Sequence, residues 1–210
     1  MNLQKRDCPI KVKIEPLGAE LLDVCFVFGD EKLKYTPSTA MSDDQFGEFV
    51  SALYTLYAEP NSTEGDWHNE WHKRTDRTDS GYKILATTTT VNWDGEGTCM
   101  LLEMTREKDG DTILLRSSMD YGKTHREFLV NDRDLCYAVA KACTEAIKQF
   151  GFYGYRYSTE SEPIKIHQLL FLKAYALGNM EIRELMVVDE ELDCRKSNFE
   201  KELELLLFDM

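Results

Sequence analysis

The sequence predicts an α+β fold, an antiparallel β-meander sheet with helices packed on one face. Three observations lead there. Apolar residues alternate with period two in two blocks, residues 10–35 and 82–130. Apolar residues spaced three and four apart fill different stretches, after Ser42 and from Asn131 onward. Short turns built on Gly and Asp join successive strands, which leaves no room for the crossover helices a parallel sheet needs. Segregated strands and helices pack as layers of the α+β kind.

The elements follow in order. Ile10, Val12 and Ile14 alternate with Lys11, Lys13 and Glu15, the pattern of a half-buried strand. Pro16-Leu17-Gly18 turns the chain into a second, more apolar strand over 22–28. Gly29-Asp30 then closes a hairpin onto Lys32-Leu33-Lys34-Tyr35. Ser42 and Gln45 form a capping box, and Phe46, Phe49, Val50, Leu53, Tyr54 and Tyr57 make the apolar side of a first helix that Pro60 ends. Residues 59–81 are polar and too long for an ordinary loop; Trp67 and Trp71, four apart, suit a short helix. Four strands are expected between Tyr82 and Val130, with turns at Asp94-Gly95-Glu96-Gly97 and Lys108-Asp109-Gly110.

Asn131 or Asp132 caps a second helix that Gly151 stops. A tyrosine-rich link, residues 152–157, leads to a third helix with Pro163 in its first turn and Gly178 just past its end. Residues 180–188 suit either strand or helix. Ser197 and Glu200 form a capping box for a last amphipathic helix carrying Phe199, Leu203, Leu206 and Leu207. The chain of 210 residues reads as one domain, 1–210, with a helical C-terminal subregion at 151–210.

Composition narrows the function classes. An apolar fraction of 42% and an aromatic fraction of 11% argue against disorder. The net charge of −13 disfavours nucleic acid and anionic membranes, which need clustered Lys and Arg, and it permits a basic protein partner. Residues 181–210 hold ten acidic and four basic residues, so the excess is concentrated near the C-terminal end. No apolar run reaches the length of a membrane span, and the polar first residues do not resemble a signal peptide, so a cytoplasmic location is expected. The six cysteines contain no C-x-x-C pair, which suits reduced thiols packed as small hydrophobes.

Catalytic motifs are weak. In Trp67-His68-Asn69-Glu70-Trp71-His72, a helix would bring His68 and His72 to one side, and His125, His167 or a carboxylate would have to supply the third metal ligand. Glu70 falls off that side, where it makes a poor base. Surface histidines beside packed tryptophans explain the pattern better, so no metal is expected. No nucleophile elbow, P-loop or dinucleotide fingerprint occurs, and no cofactor is expected. The aromatic residues point more clearly to a binding surface. Trp67, Trp71, Trp93, Tyr153 and Tyr155 fall in or beside expected loops, and Glu64, Asp66 and Glu70 surround the first two.

Trp93-Asp94-Gly95-Glu96-Gly97, a two-strand meander, Glu127-Phe128-Leu129-Val130-Asn131-Asp132 and a helix ending Phe150-Gly151 before Tyr153 and Tyr155 form one further pattern. Over residues 85–157 it resembles small acidic bacterial immunity proteins, the antidotes of polymorphic toxin systems. The resemblance implies a protein without catalysis that binds and blocks a toxin domain. The expected function is therefore binding of a protein partner, as an acidic immunity-type inhibitor. The alternatives are a metal-dependent hydrolase using His68 and His72, and an interaction subunit whose acidic last helix docks on a partner.

Overall fold

The structure, a computed structural model, describes residues 7–16, 22–37, 45–57, 71–78, 81–95, 98–119, 124–159, 164–178, 186–189 and 194–210. The fold is α+β, and every strand pairing among the described residues is antiparallel. Strands β1 (Ile10–Pro16), β2 (Leu22–Phe28) and β3 (Glu31–Tyr35) make one sheet in that order. Strands β4 (Trp71–Thr78), β5 (Gly81–Gly95), β6 (Thr98–Glu107), β7 (Thr112–Met119) and β8 (Thr124–Asn131) make a five-stranded meander. Strands β9 (Met186–Asp189) and β10 (Cys194–Ser197) form a separate ribbon. The helices are α1 (Gln45–Thr55), α2 (Asp132–Thr159), α3 (Ile166–Ala176) and α4 (Phe199–Leu207).

Strand register explains which residues form the core. Residues paired directly across an antiparallel ladder lie on the same side of the sheet. In the first sheet Val12, Phe26 and Leu33 form one such row, and all three are buried. In the meander, Val91, Leu102 and Ser117 form another buried row, as do Thr89, Met104, Leu115 and Phe128. These two inner faces share one core. The Phe26 ring lies 6.1 Å from Trp93, and Phe28 stacks on Phe128 at 4.4 Å. Helix α1 closes the same space, with Phe49 5.2 Å from Phe26 and 5.8 Å from Trp93. Where β5 ends, Tyr35 donates its hydroxyl proton to the Thr98 carbonyl at 2.8 Å. A Cβ on Gly95 would come within 3.0 Å of the Thr36 carbonyl and the Tyr35 hydroxyl, so glycine lets the two sheets meet here.

Four expectations are corrected. First, β4 is a strand inside the stretch read as an insertion, so Trp71 and His72 lie on a sheet edge and not on a short helix. Second, helical structure resumes after Gly151, whose φ of 69° and ψ of 164° break α2, so the tyrosine-rich link is helical. Third, α2 packs chiefly on β1 and α3 and meets the meander through β8, to which it is directly joined. Fourth, the last helix is capped by Asn198, which accepts from the Lys201 amide at 3.1 Å; Ser197 belongs to β10. Asn131 is the cap of α2, accepting from the Asp134 amide at 3.1 Å. The Ser42 capping residue and Pro163 lie outside the described residues. Among the described residues, Cys8, Cys25, Cys99, Cys136 and Cys143 form no disulfide, and the last two are buried.

The helices stack outward from the core: α3 packs on α1 and α2, and α4 packs on α3. The join between α3 and α4 rests on a buried lysine. Lys173 Nζ donates to the carbonyls of Leu206 at 3.0 Å and Phe208 at 2.8 Å, which α4 leaves without helical partners at its end. Burial, helped by the nearby Lys148 charge, lowers the Lys173 pKa to about 8. The unfolded chain therefore binds more protons than the folded one from about pH 8 up to the ordinary lysine range. Stability should rise with pH across that window, by up to about 1.4 kcal/mol per pH unit, and stay flat below it. Urea midpoints of the wild type and Lys173→Met, compared from pH 7 to 10, check this. Parallel curves would show that Lys173 titrates alike in both states.

Among the described residues, no helix is long and apolar enough to cross a membrane.

Candidate functional site

The meander has a second face, and the register also defines it. Three rows cross β5, β6, β7 and β8 in turn. The central row is Thr90, Glu103, Arg116 and Glu127. One flanking row is Thr88, Thr105, Leu114 and Leu129; the other is Asn92, Leu101, Ser118 and His125. Eleven of the twelve stand next to buried residues in sequence, and His125 shares the row of Ser118, so they lie on the outer face, away from α1 and the first sheet. Leu129 is 73% exposed and Leu101 42%. Leu114 and the threonines are half-buried, as expected of side chains that shield one another on an open sheet.

Arg116 fixes the centre of this face. Its Nη1 donates to Glu103 Oε1 at 3.0 Å and its Nε to Glu127 Oε1 at 2.8 Å. The bonds to Glu103 and then Glu127 hold the guanidinium pKa above its usual value. Two carboxylates on one cation leave this row with an excess of negative charge. Beside it the Thr88 and Thr105 hydroxyls share a hydrogen bond at 3.0 Å. The face thus offers a fixed polar centre between two exposed leucines.

A second polar group lies inside the molecule. Asp132, fully buried at the first turn of α2, accepts from Arg106 Nε at 3.3 Å and closely from the Tyr175 hydroxyl. Arg106 Nη2 also donates to the Tyr175 oxygen at 3.3 Å, and its guanidinium sits 4.5 Å from the centre of the Tyr57 ring. The Cys136 thiol donates to the Tyr57 oxygen at 3.7 Å. Burial pushes the Cys136 thiol up to about 12. Burial and the bond to Asp132 push Tyr175 to about 12, and burial drives Tyr57 higher still. Burial opposes the Arg106 charge, but the two tyrosines and Asp132 outweigh it and raise its pKa. At neutral pH the thiol and both phenols therefore stay protonated. A thiol in that state is a poor nucleophile. The group ties together β6, the ends of α1 and α3, and the start of α2.

The residues singled out from sequence divide sharply. Trp93 is corrected: it is fully buried, because it shares the inner parity of Val91 and pairs with Met100. Its rings meet Phe26, Tyr35 and Phe49, so it cannot touch a partner in the folded chain. Glu64, Asp66, Trp67, His68 and Glu70 lie outside the described residues. Trp71 opens β4, registered against buried Thr89, and His72 is registered against Thr88. Tyr153 and Tyr155 lie on the helical part of α2 beyond Gly151.

His125 is exposed on β8, at the opposite edge of the meander from His72. Four inter-strand spacings put the two backbones about 19 Å apart. They cannot share one metal ion, which corrects the grouping of His125 with His72. Among the described residues, no three His, Cys, Asp or Glu side chains are grouped to hold a metal.

Sequence reading missed the outer face. Its signal was the parity of Leu101 against Leu102 and of Leu129 against Phe128, which marks one leucine of each strand as outward. No family model matches this chain, and no curated protein or solved structure matches it.

Proposed function

We propose that this chain is a non-catalytic protein-binding protein, an acidic inhibitor of the immunity type, and that the outer face of the meander meets its partner. The observation that carries the reading is the exposure of Leu129 and Leu101 on either side of the row in which Glu103 and Glu127 hold Arg116. Apolar side chains around a fixed polar centre suit an interface better than they suit water. The net charge of −13 favours a basic partner, because complementary charge speeds encounter and suppresses wrong partners. In the sequence Glu64, Asp66, Trp67 and Glu70 immediately precede Trp71, the first residue of strand β4 at one end of this sheet.

Growth rescue tests the reading. The product of the neighbouring open reading frame should arrest growth when expressed alone, and co-expression of this chain should restore it. Leu101→Asp with Leu129→Asp should melt close to the wild type, since both residues are exposed, yet bind at least tenfold more weakly and fail to rescue. A neighbour whose product leaves growth untouched overturns the inhibitor reading. Full rescue by the well-folded double variant overturns the choice of face.

A further inference from the structure

Helix α4 carries a second surface, independent of the first. Phe199, Leu203 and Leu207 recur every fourth residue, so they line one side of this nine-residue helix. They are 71%, 41% and 67% exposed. Loose seating does not explain this. On the other side of α4, Leu205 is fully buried against Leu170 and Ala174. Lys173 holds the carbonyls at its end, Asn198 caps its start, and Lys148 pairs with Asp209 at 2.8 Å. Rolling the helix to bury the stripe would break the contacts of Leu205, Lys173 and Lys148 with it. The stripe is apolar surface left over after α4 has packed.

Charge indicates what covers it. With about 100° of turn per residue, Glu202 falls on one side of the stripe and Glu200 and Glu204 on the other. We propose that the stripe docks an amphipathic helix of another protein, one with Lys or Arg beside its own apolar ridge. A second copy of this chain fits poorly. Acidic residues border both sides of the stripe, so pairing two copies in either direction sets Glu against Glu. It also joins two chains of charge −13. An anionic membrane meets the same repulsion. Helix α4 packs on α3, which lies beyond α1 on the inner side of the meander.

The probe is a dye-labelled synthetic peptide of leucine and lysine in an amphipathic helical pattern, titrated with the full chain and followed by fluorescence anisotropy. A leucine–glutamate peptide of the same pattern is the control. The lysine peptide should bind saturably and the glutamate peptide should not. Leu203→Ser with Leu207→Ser should weaken binding at least tenfold while circular dichroism and melting stay close to wild type. Should that variant lose helix, Leu203→Ala with Leu207→Ala, which keeps helix propensity, is read instead. Glu202→Gln with Glu204→Gln should weaken binding and flatten its salt dependence. Unchanged affinity in a folded stripe variant overturns the proposal, as does equal binding of the glutamate peptide. A sedimenting dimer that the stripe variant abolishes would assign the surface to a second copy. Stripe-dependent binding to neutral lipid vesicles would assign it to a lipid surface. Either result overturns the helix partner.

Discussion

Replacing Asp132 by alanine should cost about 3–5 kcal/mol of stability, among the largest effects of any single substitution in this chain. The carboxylate is fully buried, and it is the acidic partner of Arg106, whose side chain is only 15% exposed. Removing it leaves a guanidinium inside the protein with a tyrosine ring on one side and no anion to balance it. The Tyr175 hydroxyl loses its acceptor in the same step. The site is already costly, because Asp132 Oδ1 is buried and accepts no hydrogen bond from the described residues. An apolar replacement of both partners should therefore recover much of the loss. In urea unfolding, Asp132→Leu with Arg106→Met should be more stable than Asp132→Leu alone, and the cycle should report a coupling above about 1 kcal/mol. A cost below about 1 kcal/mol for Asp132→Ala would show that the group is a surface pair in effect.

Trp93→Ala should cost about 3–5 kcal/mol and lower the melting temperature by on the order of 10 °C. The indole is the meeting point of three elements: Phe26 of β2 at 6.1 Å, Tyr35 of β3 at 6.2 Å and Phe49 of α1 at 5.8 Å. No single neighbour can fill the space it leaves, so the two sheets lose part of their contact together. Leu129→Ala is the matched contrast. It removes an exposed leucine from the outer face and should change stability by no more than about 0.5 kcal/mol. Thermal unfolding of both variants checks the pair. A larger loss for Leu129→Ala than for Trp93→Ala would mean that the two faces of the meander have been assigned the wrong way round.

Trp93 also shows what the sequence made legible and what it hid. The meander, the first hairpin and the four helices could be read, because period-two runs, Gly-Asp turns and caps are local signals. The face of each strand could be read too, but only by parity. Trp93 stands next to the Asp94-Gly95 turn, and nearness to a turn suggests a loop, while alternation from Val91 places it in the core. Strand β4, Trp-His-Lys-Arg-Thr-Asp-Arg-Thr, has no apolar alternation, since charged residues blunt a sheet edge against stray pairing. Only its pairing with β5 reveals it. Arg106 and Asp132 are 26 residues apart and share no motif, so only the assembled chain brings them together. The helical stretch beyond Gly151 was hidden by Gly154 and four aromatic residues, all poorer helix formers than alanine or leucine. The outer face could have been found in the sequence, from the parity that sets Leu101 against Leu102 and Leu129 against Phe128.

The packing of β1 on α2 has a consequence for synthesis. Cys8 donates its thiol proton to the Asp134 carbonyl at 3.3 Å, across 126 positions of chain. The ribosome therefore completes β1 long before it makes the helix that packs on it. At about 5–20 residues per second, the first sheet waits on the order of 10 s with Ile10, Val12 and Ile14 uncovered. Nascent chains of this protein should be held by chaperones that recognise apolar strands, and the hold should end once α2 clears the exit tunnel.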